Sequence, residues 1–235
     1  MDRFVRQFFD LEHIRASLPA ILDGFWLNIQ MMLVAEVAVL VWALVLALLR
    51  TAPGLPGLPL RVLAVVYIDF FRGVPMILVI YLIVFGLPFT GIPAFQGASA
   101  IFPLAVLALT LVYGAYVAEV YRSGIDGVHW SQTAASRSLG LSYAKTMRFV
   151  VLPQAIRRVI PPLLNDFIGL QKDTALAATV GIVEGFRQAF IYAGANFNVS
   201  SLIGVSLAFV VITVPLARLV DLLIARDRRR QRALV

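Results

Sequence analysis

Cysteine is absent, and the only two histidines, His13 and His129, stand far apart. Disulfides, thiolate nucleophiles and Cys-ligated metals are excluded, and a His-rich metal site is not expected. Charge is scarce too: 14% of the 235 residues are charged, against about 25% in a soluble domain. The chain contains no G-x-x-x-x-G-K-[ST], no H-E-x-x-H and no G-x-S-x-G. A phosphate-binding loop, a zinc-hydrolase helix and a serine-hydrolase elbow are therefore missing. Apolar residues make up 60% of the chain, and the mean hydropathy is +0.89. Several runs approach the roughly 20 apolar residues that cross a bilayer, so an all-α membrane protein of one domain, residues 1–235, is expected.

Five spans are predicted. Residues 1–18 come first. Phe4, Phe8 and Leu11 recur there at helical spacing among charges, which predicts an amphipathic interfacial helix over 2–18. No compact apolar region with a cleavage site follows the cationic start, so a cleavable signal is not expected. Span 1 covers about 24–49, broken only by Glu36. "RTAPGLPGLPLR" (50–61) is rich in Pro and Gly and reads as a loop. Span 2 covers 62–86, the uncharged loop 86–99 follows, and span 3 covers 100–121. Span 4 covers 157–182, residues 183–199 read as a loop, span 5 covers 200–224, and a basic tail occupies 225–235. Cations are uneven between the two sides. Thirteen fall in the 50–61 loop, the 122–158 region and the tail, against Arg3, Arg6, Arg15 and Arg187 on the other side. Lys and Arg accumulate on the cytoplasmic side, so the N-terminus is expected outside and the C-terminus in the cytoplasm.

"SQTAASRSLGLSYAKTMRFVVLP" (131–153) interrupts the apolar pattern. Ser131 is a start signal for one short helix, and Gly140 permits a left-handed turn. Ser142 can cap a second helix that stops at Leu152-Pro153. Two readings stand: a surface on which another protein seats, or a solvated basic loop obeying the charge rule. The stretch resembles the cytoplasmic "EAA" loop of ABC importer permeases. Ala135 and Ser136 take the two Ala positions, Gly140 lies four residues after the second, Val150 is the apolar position, and Leu152-Pro153 closes the motif. Ala134 departs from the family's Glu and removes one ionic contact. "LPAILDGFWLNIQMMLV" (18–34), "YIDFFRGVPMIL" (67–78), "AEVYRSGIDGV" (118–128) and "LPQAIRRVIPPLLNDFIGLQKDTAL" (152–176) resemble the polar amino acid uptake branch. The resemblance covers about 18–224.

It implies a type I ABC importer permease fold in the bacterial plasma (inner) membrane, with a coupling loop over 123–156. Ala134, Ala135, Ser136, Arg137, Leu139, Gly140, Leu152 and Pro153 are then the residues that meet an ATPase. The implied partners are a cytoplasmic ABC ATPase dimer, a second permease subunit (the same chain or a related one), an extracytoplasmic substrate-binding protein and membrane lipid, with no nucleic acid. No cofactor is expected in this chain, because ATP and Mg belong to the ATPase. The chain would not be an enzyme. The alternative is a small secondary transporter or channel, for which five spans are few and no inverted repeat is visible.

Ionisable residues inside a membrane are costly and mark paths or pairs. Asn165, Asp166, Gly169, Lys172 and Asp173 fall on one stripe of span 4 at 100° per residue, either lining an aqueous path or pairing among themselves. Arg72, beside Gly73 and Pro75, either binds a carboxylate or pairs with Asp69. Glu119 either joins the path or pairs with Arg122 one turn on. The substrate-path candidates are thus Arg72, Glu119, Asn165, Asp166, Lys172 and Asp173.

Overall fold

A computed structural model describes residues 2–50, 52 and 54–232, and side chains as far as Arg226. The arginine side chains of the tail beyond Arg226 and its last three residues lie outside the described residues. Among the described residues helix is the one type of regular secondary structure present. The helices are α1 (Asp2–Phe8), α2 (Leu11–Arg50), α3 (Leu58–Gly73), α4 (Met76–Tyr81), α5 (Ile101–Asp126), α6 (Trp130–Ser138), α7 (Tyr143–Thr146), α8 (Leu152–Asp173), α9 (Gly185–Asn196) and α10 (Ser200–Arg232).

The expected helix over 2–18 is two pieces. α1 ends at Phe8, and Asp10 restarts the chain by accepting the Glu12 N–H at 2.9 Å. From Leu11 the helix is continuous to Arg50 across Pro19. Among the described residues three segments are long and apolar enough to cross a membrane: the chain to Arg50, the one ending at Asp126, and Ser200–Arg226. α3 and Met76–Thr90 pass only when taken together, and they bend by 107°. Pro75 causes the bend. It lacks an N–H and disfavours helix at the residue before it, and Val74 is accordingly extended at φ −95°, ψ 131°.

α5 is the centre. Its small residues Ala105, Ala108, Ala115 and Ala118 are buried and let α2 and α8 approach closely, as helices in lipid require. Trp42 of α2 donates to the Tyr67 hydroxyl of α3 at 2.8 Å, and Tyr67 donates to the Leu111 carbonyl of α5 at 2.8 Å. The outward face is apolar: Leu33, Val37, Leu44 and Leu48 of α2 and Leu207, Val211 and Leu222 of α10 are all exposed. Apolar surface turned outward suits lipid.

Contacts fix the relative directions. Arg50, ending α2, is ion-paired with Glu119 near the end of α5, so α2 and α5 run in parallel. Tyr113 of α5 meets Asp173, the last residue of α8. Near the other end of α5, Arg158 donates to the Gly127 carbonyl, so α8 is antiparallel to α5. Phe25 of α2 packs against Phe209 of α10 with ring centroids 4.8 Å apart, and the Asp10 N–H donates to Ser200 Oγ at 3.0 Å. α10 therefore runs parallel to α2.

Two expected boundaries differ. Residues 183–199 are not a loop, because Glu184 accepts the Phe186 and Arg187 N–H groups at 2.9 and 2.8 Å and starts α9. Span 4 begins earlier than expected. α8 starts at Leu152 and gives way after Asp173 to a 3₁₀ turn over Thr174–Val180.

Candidate translocation cleft and coupling surface

The break at Gly73–Pro75 leaves a space between α3, α4, α5 and α8. The cleft there has a volume of about 430 Å³, and its lining includes Arg72, Tyr113, Tyr116, Asn165, Asp166, Gly169 and Asp173. Each element contributes for a local reason. Pro75 turns α4 away from the axis of α3, so the Gly73–Val74 backbone faces the space. α8 concentrates its polar residues on one face, which it turns to α5.

Arg72 sits over the Tyr116 ring at 5.8 Å, and the Tyr116 hydroxyl donates to the Arg72 carbonyl at 3.4 Å. Among the described residues Arg72 has no ion pair, and the pairing with Asp69 is not formed. Asp173 accepts from the Tyr113 hydroxyl at 2.9 Å. One oxygen of Asp166, Oδ2, is buried without a hydrogen-bond partner. The site therefore offers a cation stacked on an aromatic ring, a tethered carboxylate and a carboxylate with acceptor capacity to spare.

Four of the six substrate-path candidates, Arg72, Asn165, Asp166 and Asp173, line this cleft, and Lys172 and Glu119 do not. Lys172 is exposed on a neighbouring face of α8. Glu119 is held by Arg50 and by Arg122, the latter at 2.9 Å, and Arg122 also reaches Asp126 at 2.6 Å. That cluster ties α2 to α5 beyond the cleft. Arg50 gave no signal as a partner of Glu119, because it lies 69 positions away and in sequence reads only as a loop-edge cation.

A second network was not anticipated. Glu184 and Asn28 are completely buried. The Asn28 amide donates to Glu184 at 2.8 Å and to Thr174 Oγ1 at 3.0 Å, and its carbonyl oxygen accepts the Gly185 N–H at 3.0 Å. The network pins α2, the turn after α8 and the start of α9 together. The acid at a helix start was the only sequence signal.

The 131–153 stretch forms the expected two short helices around Gly140, with two differences. His129, not Ser131, caps α6: its Nδ1 accepts the Ser131 N–H at 3.3 Å. α7 does not stop at Leu152-Pro153. It passes through a π-helical turn, Met147–Val151, straight into α8, and Pro153 occupies the first turn of α8. Pro is tolerated there because first-turn N–H groups lack intrahelical partners. Gly140 has φ +81°. The Leu141 N–H bonds the Ser136 carbonyl at 3.2 Å and the Gly140 N–H bonds that of Arg137 at 3.0 Å, the Schellman ending of α6. Ser142 caps α7 by accepting the Lys145 N–H at 3.4 Å.

Ala134, Ala135, Arg137, Leu139, Gly140, Leu152 and Pro153 are exposed, whereas Ser136 is buried and its hydroxyl donates to Thr146 Oγ1 at 3.1 Å. Trp130, Leu139 and Tyr143 add an uncovered apolar patch, 73%, 85% and 66% exposed. Beneath it a small core of Val128, Val151 and Ala155 joins the end of α5 to the start of α8.

A helical body with a polar cleft at a broken helix and an exposed handle at one end is the make-up of a membrane transport component. The chain belongs to the family of binding-protein-dependent transport system inner membrane components, whose model matches residues 40–233. It is 34% identical to the probable amino-acid permease protein YxeN of Bacillus subtilis (strain 168), over 91% of this chain and 93% of that one. It is 37% identical to the probable amino-acid ABC transporter permease protein PatM of Vibrio harveyi, over 81% and 83%. A crystal structure of an amino acid ABC transporter with histidines superposes with a TM-score of 0.79 at 31% identity, covering 88% of this chain and 94% of that one. The protein is thus an inner-membrane component of a binding-protein-dependent transport system.

Proposed function

We propose that this chain is the permease subunit of an ABC importer for polar amino acids. It crosses the membrane five times, with the N-terminus outside and the C-terminus in the cytoplasm. A binding protein delivers substrate, a second permease subunit completes the membrane body, and a cytoplasmic ATPase dimer holding ATP and Mg drives it. The names of the relatives support the substrate class. The helix directions support the five crossings: α2 and α5 run in parallel, so residues 51–100 must return the chain to the opposite face, and α8 reverses it again before α10.

The observation that carries the reading is the cleft, which opposes a guanidinium with carboxylates inside an apolar body. A zwitterion needs one contact of each sign. The coupling surface is Ala134, Ala135, Arg137, Leu139, Gly140, Leu152 and Pro153, with Ser136 packed behind it. Lys172 and Glu119 act at the margins of the path rather than in the cleft. Uptake of labelled polar amino acids by the importer reconstituted with its binding protein and ATPase is the test. Arg72→Ala should lower uptake about tenfold, the loss of one charge-assisted contact, while the ATPase still copurifies. Unchanged uptake removes Arg72 from the path.

A further inference from the structure

We propose that the outward face of α10 is the seam with the second permease subunit, and that this subunit is another copy of the same chain. Arg218 of each copy pairs with the partner's Asp221 across that seam. The inference rests on the permease reading and names its membrane partner. Three observations lead to it.

The first is where charge lies. Arg218 and Asp221 fall within the spanning segment Ser200–Arg226. Their side chains are nevertheless 77% and 66% exposed, with Nη1 3.6 Å from Oδ2. Ionised side chains inside a membrane face a bundle interior, an aqueous cavity or a partner. These two face away from the body of their own chain. Lipid suits Leu207 and Val211 on the same face, but not a guanidinium and a carboxylate. α10 is also the least buried of the three long apolar segments among the described residues.

The second is spacing. One side of α10 is turned to the body: Thr213 donates to Gln171 Oε1 of α8 at 3.0 Å, and Val220 is buried. On the other side Leu207, Val211, Val214, Arg218, Asp221 and Ala225 are all exposed. They recur in alternating steps of four and three residues. That is the period of a seam between two packed helices, in which a polar position fixes the register. Lipid imposes no such period.

The third is complementarity. The stripe carries one cation and one anion, so it matches itself. Two copies inserted in the same orientation are related by a two-fold axis along the membrane normal, and their α10 helices then face each other in parallel. In such a contact residue i meets residue j and j meets i. Arg218 meets the partner's Asp221, and Asp221 meets the partner's Arg218, each about 4.5 Å further along the axis. A second copy thus supplies both charges with a partner at one register, which neither lipid tails nor an apolar helix does.

The chain has no cysteine, so single introduced thiols report the seam. The full chain is expressed with its ATPase as two differently tagged copies, and native membranes are oxidised with copper phenanthroline. Val211→Cys and Val214→Cys should each link the two tagged copies through a disulfide. Leu219→Cys, exposed but off the stripe, should do so severalfold less. The charge contact is read in the Val211→Cys background. Arg218→Asp leaves two acids on the seam and Asp221→Arg leaves two cations, so either variant paired with itself should lose most of the linkage, because like charges then face each other. One copy carrying Arg218→Asp expressed with one carrying Asp221→Arg should regain it, which a variant that merely misfolds cannot do. Absent linkage at Val211 and Val214, equal linkage at Leu219, full linkage in either self-paired charge variant, or no recovery in the mixed pair overturns the proposal. If the copies do not link and the importer still takes up amino acids, the second subunit is a different chain and the permease reading survives. If the chain also fails to copurify with the ATPase, both fail.

Discussion

Glu184 shows what a single buried acid does at the residue scale. Its carboxylate accepts two backbone N–H groups and the Asn28 amide, with no exposed surface. Removing it leaves three donors without an acceptor, each worth about 1–3 kcal/mol when buried. Glu184→Ala should therefore destabilise the chain by about 3 kcal/mol or more, read as a lower unfolding midpoint in detergent. Glu184→Gln keeps an acceptor oxygen and should cost less. An unchanged midpoint in Glu184→Ala would mean that water or a shifted helix replaces the carboxylate. This residue was not legible in the sequence, because its partner Asn28 lies 156 positions away and looks like one more polar residue in an apolar run. Arg72 was legible: a cation in an apolar run beside Gly and Pro has few explanations, and the structure leaves it without a carboxylate partner. Asp166 and Asp173 were legible as a stripe, but not the division between them, which depends on Tyr113 of another helix.

At the scale of elements, α6 and α7 depend on one backbone conformation. Gly140 has φ +81°, and an added Cβ there would meet nothing within 4 Å. The penalty for a side chain is then handedness rather than space, about 1–2 kcal/mol, and more for a β-branched residue. Gly140→Val should leave the membrane body folded and shift the angle between α6 and α7. ATP hydrolysis by the assembled importer should then proceed with reduced uptake. Equal coupling in the variant would show that the angle does not matter. This turn could be read directly from the sequence, since a glycine between two capped segments has a definite conformational use. The fate of Leu152-Pro153 could not. Proline gives the same signal when it ends one helix and when it starts the next, and only the π-helical turn before it distinguishes the two. Likewise, residues 183–199 read as a loop because one acid at a helix start is a weak mark. α9 packs through the small residues Ala189 and Ala193, which carry little apolar signal.

At the scale of the whole molecule, the absence of cysteine makes the orientation testable with a single introduced thiol. Ser138 is exposed at the end of α6. Ser138→Cys should react with a membrane-impermeant maleimide in inside-out vesicles and stay unlabelled in intact cells. Labelling in intact cells would invert the proposed topology. Hydropathy leads to the expectation of five crossings and the charge count to that of their direction, and the labelling tests the second. α8 could be counted only by setting its polarity aside as one-sided, because composition alone does not qualify it. The run from Tyr143 through Met147–Val151 to Asp173 has no loop in it. Tyr143 on the surface and Asp166 in the cleft are therefore the two ends of one rod, about 35 Å long at the helical rise. Its irregular places are the π-helical turn and Pro161-Pro162, where the hydrogen-bond ladder is displaced or interrupted. One residue more or less near Val151 would leave the outer end able to take the push and rotate the far end by about 100°, swinging both aspartates off their track.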